Sequence, residues 1–288
     1  MSIGNRVRIA IETECSAIKA GNVHPNASFQ DLNHGHFLTA AKAIGEQIDL
    51  CAGESVGQIV LKCVAAMMNA VGTNTSLGTI LLVAPLVAAT NRLTDGSTRI
   101  WSMESVLMET LASMTSEDAR DIYRAIGLAR PGGLGESQSM DVRQAAPLDI
   151  REAMRIASSW DDVALQYVSD FELVLRLSRR IESKRLDGLT LLHSIRCIQM
   201  ELLVERVDSL IARKQGMEFA RYVQARAAEV IAAGPYCGPQ YERAWQVFDA
   251  ELRDPGHRGN PGTIADLIAA ALYYGEWRRE NYQSRPDT

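Results

Sequence analysis

Apolar residues recur at three- and four-residue intervals along most of this chain, a pattern that predicts helix after helix. In the first segment Ile3, Val7, Ala10, Ile11 and Ile18 share one face, and Glu14 falls on that face between Ile11 and Ile18. A carboxylate there must be paired, line a cavity, or reach water from the edge of the stripe. Further helical patterns cover residues 35–51, 55–71, 76–91, 103–114, 117–128, 148–158, 161–182, 188–213, 216–233, 238–252 and 263–280. The segment 55–71 is typical, with Val56, Ile59, Val60, Cys63, Val64, Met67 and Met68 on one side. Alternating strand patterns bounded by hairpin turns are absent, as are internal repeats and low-complexity tracts. The expectation is an all-α fold: one compact domain over residues 1–288, built from about ten to twelve helices. One long connection, 129–147, contains Arg130-Pro131-Gly132-Gly133-Leu134-Gly135 and then Asp141-Val142-Arg143. Both sides of it are helical and neither half carries a complete site, so it reads as a functional loop or lid.

Composition sharpens this picture. The chain is 47% apolar but only 6% aromatic, which suits packed helices better than a β-sandwich. A net charge of -5 argues against a broad basic face for nucleic acid. The five cysteines (Cys15, Cys51, Cys63, Cys197, Cys237) form no CxxC pair and read as free thiols in a reducing cytoplasm. The most apolar run, Ile80 to Ala89, is half the length a membrane span needs and contains Pro85. Glu12 and Glu14 interrupt any signal-peptide pattern at the N-terminus. A cytoplasmic protein without membrane contact is expected, and its many exposed helices make a homodimer plausible.

Three Gly/Asn/Thr segments stand where helices are expected to begin: Gly21-Asn22-Val23-His24-Pro25, Gly72-Thr73-Asn74-Thr75-Ser76-Leu77-Gly78-Thr79 and Asn260-Pro261-Gly262-Thr263. Helix starts expose unpaired N–H groups and the positive end of the dipole, so they suit phosphate. Glycine permits close approach, and Thr and Asn add donors. Three such segments suggest a nucleotide or polyphosphate site. Each also has a plainer reading as a helix cap, and Thr263 and Asp266 stand in capping-box spacing. His24, Asp31, His34 and His36 match no zinc pattern; a carboxylate holding Mg²⁺ beside phosphates, or a capped turn, fits them better. Asp208 precedes Arg213-Lys214-Gln215-Gly216, where two cations at a helix end could clamp phosphate.

In this order the segments resemble the triphosphoribosyl-dephospho-CoA synthase family over most of the chain. The likeness begins at Glu14 with Lys19-Ala20-Gly21-Asn22-Val23-His24-Pro25 and continues through Ser28-Phe29, Asp31 and Gly72-Thr73-Asn74-Thr75 with Gly78. The 132–143 loop, Asp208 with Arg213 to Gly216, and Asn260 to Leu267 complete it. Ser76-Leu77-Gly78 replaces the family's His-Lys-Gly, and Asn260-Pro261-Gly262-Thr263 its Ser-Pro-Gly-Gly, which is closer to a divergent archaeal and bacterial branch.

The resemblance implies that ATP and 3′-dephospho-CoA are substrates, joined through the ribose of ATP with release of adenine. It implies Mg²⁺ held by Glu14, Asp31 or Asp266, and a base among Asp208, Asp266 and His24. Phosphate binding would fall to Lys19, Gly21, Asn22, Thr73, Asn74, Thr75, Gly78, Arg213, Lys214, Asn260, Gly262 and Thr263. The motif departures leave room for a related transferase acting on another cofactor precursor, such as a pterin, or for a non-catalytic nucleotide binder.

Overall fold

A computed structural model describes residues 1–94, 102–132, 140–253 and 259–282. Fourteen helices occur among them: α1 (Ile3–Ser16), α2 (His34–Asp49), α3 (Val56–Val71), α4 (Leu77–Thr94), α5 (Met103–Ala112), α6 (Ser116–Ala129), α7 (Ile150–Ala157), α8 (Asp162–Val168), α9 (Glu172–Leu186), α10 (Leu191–Glu205), α11 (Ser209–Gln215), α12 (Met217–Ala232), α13 (Pro239–Leu252) and α14 (Gly262–Tyr282). The described residues contain no strand, only an isolated bridge between His24 and Ala27. The all-α expectation holds.

The helix count exceeds the expected range because two long apolar patterns are broken. The pattern over 161–182 divides into α8 and α9 at Asp170 and Phe171, both left-handed (φ 49° and 63°). Phe171 is fully buried there and packs on Tyr167 at 5.7 Å, so core burial stabilises a backbone that its side chain disfavours. The pattern over 188–213 divides at extended Arg206, after which Asp208 caps α11. Periodicity alone registers neither break, since the apolar face continues across both.

Helix α4 is the axis of the molecule. Thirteen of its 18 residues are buried, and it packs against α3, α5 and α14. By length and composition α4 could cross a bilayer, unlike the shorter run read from the sequence, but here its surface meets other helices. Pro85 lies within it and lacks the N–H that would bond the Leu81 carbonyl. The buried Tyr167 hydroxyl donates to that Leu81 oxygen at 2.7 Å, which ties α8 to the middle of α4. A hydroxyl pair, Thr90 Oγ1 with Tyr273 Oη at 2.8 Å, ties α4 to α14. Helices α4, α8 and α14 are thereby tied together, and α1 packs against α14 and α4.

Candidate active site

One cavity of about 860 Å³ opens between these helices. Its first wall is polar: Glu14, Lys19 and Asn22 from the end of α1 and the turn after it, residues 72–79, and Asn260, Gly262, Thr263, Ala265 and Asp266 at the start of α14. Its second wall, from the end of α6 with α7 and the start of α8, is mainly apolar and includes Leu128, Met154, Ile156, Ala157 and Trp160. Arg130, Asp161, Arg213 and Lys214 stand along the second wall.

Asp266 joins α14 to the beginning of α4. Its Oδ1 accepts from the Thr79 backbone N–H (2.8 Å) and from the Thr79 hydroxyl (2.5 Å). Its Oδ2 lies over Gly78, where a Cβ would come within 2.1 Å, so only glycine lets the carboxylate sit there. Burial pushes the Asp266 pKa up to about 7 against the two Thr79 hydrogen bonds, and the nearby charges of Glu14 and Asp208 add to the rise. The capping box expected between Thr263 and Asp266 does not form. Helix α14 starts at Gly262, which leaves Asp266 beyond the first turn and aimed at α4.

Glu14 and Lys19 form a buried pair. Lys19 is wholly inaccessible, and its Nζ donates to the carbonyls of Glu14 (2.7 Å) and Ala17 (3.3 Å) while standing 3.0 Å from Glu14 Oε1. Two of its protons therefore have carbonyl acceptors within the protein. Lys19 closes the end of α1 and balances the Glu14 charge, and it lines the cavity. Glu14 Oε1 is buried and outside hydrogen-bond geometry, despite its closeness to Lys19. Burial raises the Glu14 pKa, and the Lys19 charge opposes the rise.

The first Gly/Asn segment opens no helix; α2 begins only at His34. It is a turn clamped from three sides. Gln199, fully buried on α10, accepts from Ala20 N and donates to Ala20 O and to Asn22 Oδ1, each bond at 2.8–2.9 Å. Gly21 (φ 71°) donates its N–H to Asp249 Oδ1, so that N–H is taken and Gly21 lies outside the cavity wall. Asn22 faces the cavity and donates to Asn260 Oδ1 at 2.7 Å, which joins this turn to the start of α14.

The segment 72–79 ends α3 through left-handed Gly72 and starts α4. Thr73, Asn74, Thr75 and Gly78 all line the cavity. Two of the early N–H groups of α4 already have protein acceptors: Asn74 Oδ1 takes Leu77 N (3.0 Å), and Asp266 takes Thr79 N. An acidic side chain thus occupies part of what the sequence suggested for phosphate, and the Ser76 and Thr79 hydroxyls already donate to Thr75 and Asp266, which leaves the Thr73 and Thr75 hydroxyls and the Gly78 N–H on this stretch.

Two base candidates lie off the cavity wall. Asp208 is buried, its Oδ1 accepts from Leu210 N and Ile211 N, and its Oδ2 accepts from Ile264 N, so it caps α11 and α14 together. Burial still raises its pKa to about 6. His24 is buried with Nδ1 accepting from Asn26 N, and burial with the Arg253 charge lowers its pKa to about 4. It serves the turn as a neutral ring. Asp31 is exposed, and no group of three or more metal-ligating side chains occurs among the described residues, so Glu14, Asp31 and Asp266 form no three-carboxylate cage. His34 pairs with Ser16, and His36 completes the Asn33 cap of α2, which matches the capped-turn reading of that cluster.

Of the remaining expected residues, Asn260, Gly262, Thr263, Arg213 and Lys214 line the cavity. Thr263 Oγ1 accepts from Ser209, and Arg213 pairs with Asp161, the cap of α8. Gly133, Leu134 and Gly135 lie outside the described residues. Trp160, Asp161 and Gln199 escaped the sequence reading, while Thr79 and Arg130 entered it only as members of longer segments. Gln199 alone left a signal there, as a polar residue inside the apolar run from Ile195 to Leu203.

A profile of the CitG family, described as ATP:dephospho-CoA triphosphoribosyl transferase, matches residues 1–285. No curated protein matches the chain. A crystal structure from Archaeoglobus fulgidus, provisionally described as a triphosphoribosyl-dephospho-CoA synthase, shares the fold with a TM-score of 0.61. That structure is 21% identical, and the match covers 84% of this chain and 98% of the other. A match over nearly the whole length favours this transfer over one to another cofactor precursor: the chain belongs to the CitG family of ATP:dephospho-CoA triphosphoribosyl transferases.

Proposed function

We propose that the protein carries out its family's reaction, transfer of the triphosphoribosyl group of ATP to the 2′-hydroxyl of 3′-dephospho-CoA, with Asp266 as the base. The observation that carries this assignment is the Asp266 carboxylate over Gly78, with Oδ1 bound to Thr79 and Oδ2 beside the donor-rich 72–79 segment. The acceptor oxygen bonds to the ribose C1′ as the bond from C1′ to the adenine nitrogen breaks. The electron pair leaves on adenine, and the hydroxyl proton passes to Asp266. A pKa near 7 suits a base that works close to neutrality. Positive charge that builds on the sugar faces the same carboxylate.

Thr73, Asn74, Thr75, Asn22, Asn260 and Thr263 would hold the triphosphate, with Arg213 at the edge. The described lining carries five acids (Glu14, Asp31, Asp141, Asp161, Asp266) and four cations (Lys19, Arg130, Arg213, Lys214), so a polyanion needs further positive charge. Mg²⁺ takes one or two carboxylates and completes its shell with phosphate oxygens and water. Glu14 fits that demand, because its buried Oε1 lacks a hydrogen-bond donor. When bound, the ion would neutralise phosphate charge. Residues from both halves of the chain line one cavity, which supports a single-domain protein. Five free thiols, four of them buried, support a reducing, cytoplasmic setting. The test is incubation with ATP, Mg²⁺ and 3′-dephospho-CoA, followed by chromatography for adenine. Adenine that depends on dephospho-CoA supports the proposal; intact ATP despite both substrates being bound contradicts it.

A further inference from the structure

The second wall of the cavity has a chemistry the transfer step does not use. Leu128 at the end of α6 is 41% exposed and Trp160 before α8 is 47% exposed, yet both line the cavity, beside Met154, Ile156 and Ala157 of α7. An aromatic ring half in water on an apolar wall gains by covering. Trp245 and Trp277 are buried, so Trp160 is unlike them. Two cations flank this wall. Arg130 follows directly on α6, and Lys214 lies in the last turn of α11; neither makes an ion pair among the described residues. The segment after Arg130 reaches Lys214, because a Cβ on Gly132 would sit 3.4 Å from Lys214 Cε. Arg213, next in line, is tied to Asp161.

A ligand that fits has a diphosphate joined to a flexible, mostly apolar arm. Of the two substrates in the proposed reaction only dephospho-CoA has that shape, since the phosphates of ATP end its chain. A cavity of about 860 Å³ is near the upper limit for one drug-sized ligand, so the arm of a second nucleotide must run out along a rim. We infer that the Leu128–Trp160 wall is the acceptor subsite: Arg130 and Lys214 take the diphosphate of dephospho-CoA, and its pantetheine arm lies across Trp160. This rests on the proposed transfer reaction and deepens it. Trp160 is then a specificity-determining residue that acts on acceptor binding.

Intrinsic fluorescence and calorimetry test this without turnover. Dephospho-CoA should change the tryptophan emission of the wild-type protein, with that change lost in Trp160→Phe. ADP, which keeps the 2′-hydroxyl and diphosphate but lacks the arm, should leave the emission unchanged. Trp160→Ala should weaken dephospho-CoA binding about tenfold and raise its KM by the same factor, with the KM for ATP held within about twofold. Trp160→Phe should recover most of that binding. Lys214→Ala should weaken ADP and dephospho-CoA alike. Weakened ATP binding in Trp160→Ala with dephospho-CoA binding intact would place the other nucleotide on this wall and overturn the inference. Equal binding of both substrates by Trp160→Ala and wild type would overturn it as well. If dephospho-CoA binds through Trp160 but no adenine is released, the subsite stands and the transfer reaction fails.

Discussion

Helices α4 and α14 begin on opposite sides of one motif cluster, and each start is held by a carboxylate from elsewhere in the fold. At α14 the carboxylate is Asp208, and three backbone N–H groups occupy both of its oxygens. At α4 it is Asp266, where Thr79 occupies Oδ1 alone and Oδ2 is left over a glycine. Both acids are raised in pKa, to about 6 and about 7, and both share the same short list of candidate bases. What separates them is remaining acceptor capacity and access to the cavity. A carboxylate with both oxygens held by backbone N–H groups away from the cavity holds structure together, while one with an unbonded oxygen on a cavity can take a proton.

The sharpest way to break this comparison is at Asp266 itself. Asp266→Asn keeps an acceptor for Thr79 and should lower kcat by about 10²–10⁴-fold, read as adenine release, with helicity unchanged. Asp208→Ala should act on the fold, because it strands three N–H groups. A loss of about 3 kcal/mol in denaturant unfolding is expected, and a neutral result would mean that water replaces the cap. Gly78→Ala tests the close approach. A Cβ at 2.1 Å from Oδ2 must displace the carboxylate, so turnover should fall up to about a hundredfold while the melting temperature barely moves.

The smallest effect is on pH-dependent stability. The folded pKa of Asp266 lies above the ordinary aspartate value of 3.8, so between about pH 4 and 7 the folded state keeps a proton that the unfolded chain has released. Stability contributed by this group therefore falls as pH rises through that window. Asp266→Asn should flatten the decline between pH 4 and pH 8 in thermal unfolding. An identical slope in both proteins would show that Asp266 stays ionised throughout.

Much of the helix pattern was legible because an amphipathic stripe is a local property. The breaks at Phe171 and Arg206 were not, since each is set by what the residue meets in three dimensions. The polar wall was readable as residues but not as partnerships. Lys19 reads from the sequence as an isolated cation although it is buried against Glu14 and two carbonyls, and the Thr263–Asp266 spacing suggests a local cap although Asp266 bonds to a helix 187 positions away in sequence. Trp160 gave no signal and Arg130 only its place in the 129–147 loop, because a single aromatic or cation gains meaning from the wall it stands on.

The most direct test of the central claim is adenine release by Asp266→Asn and Asp208→Asn, side by side, each rate divided by the folded fraction. The Asp266 variant should lose at least about a hundredfold, and the Asp208 variant should stay within about threefold of wild type once only folded molecules are counted. The reverse pattern, with Asp208→Asn inactive and Asp266→Asn active, would contradict the assignment of the base.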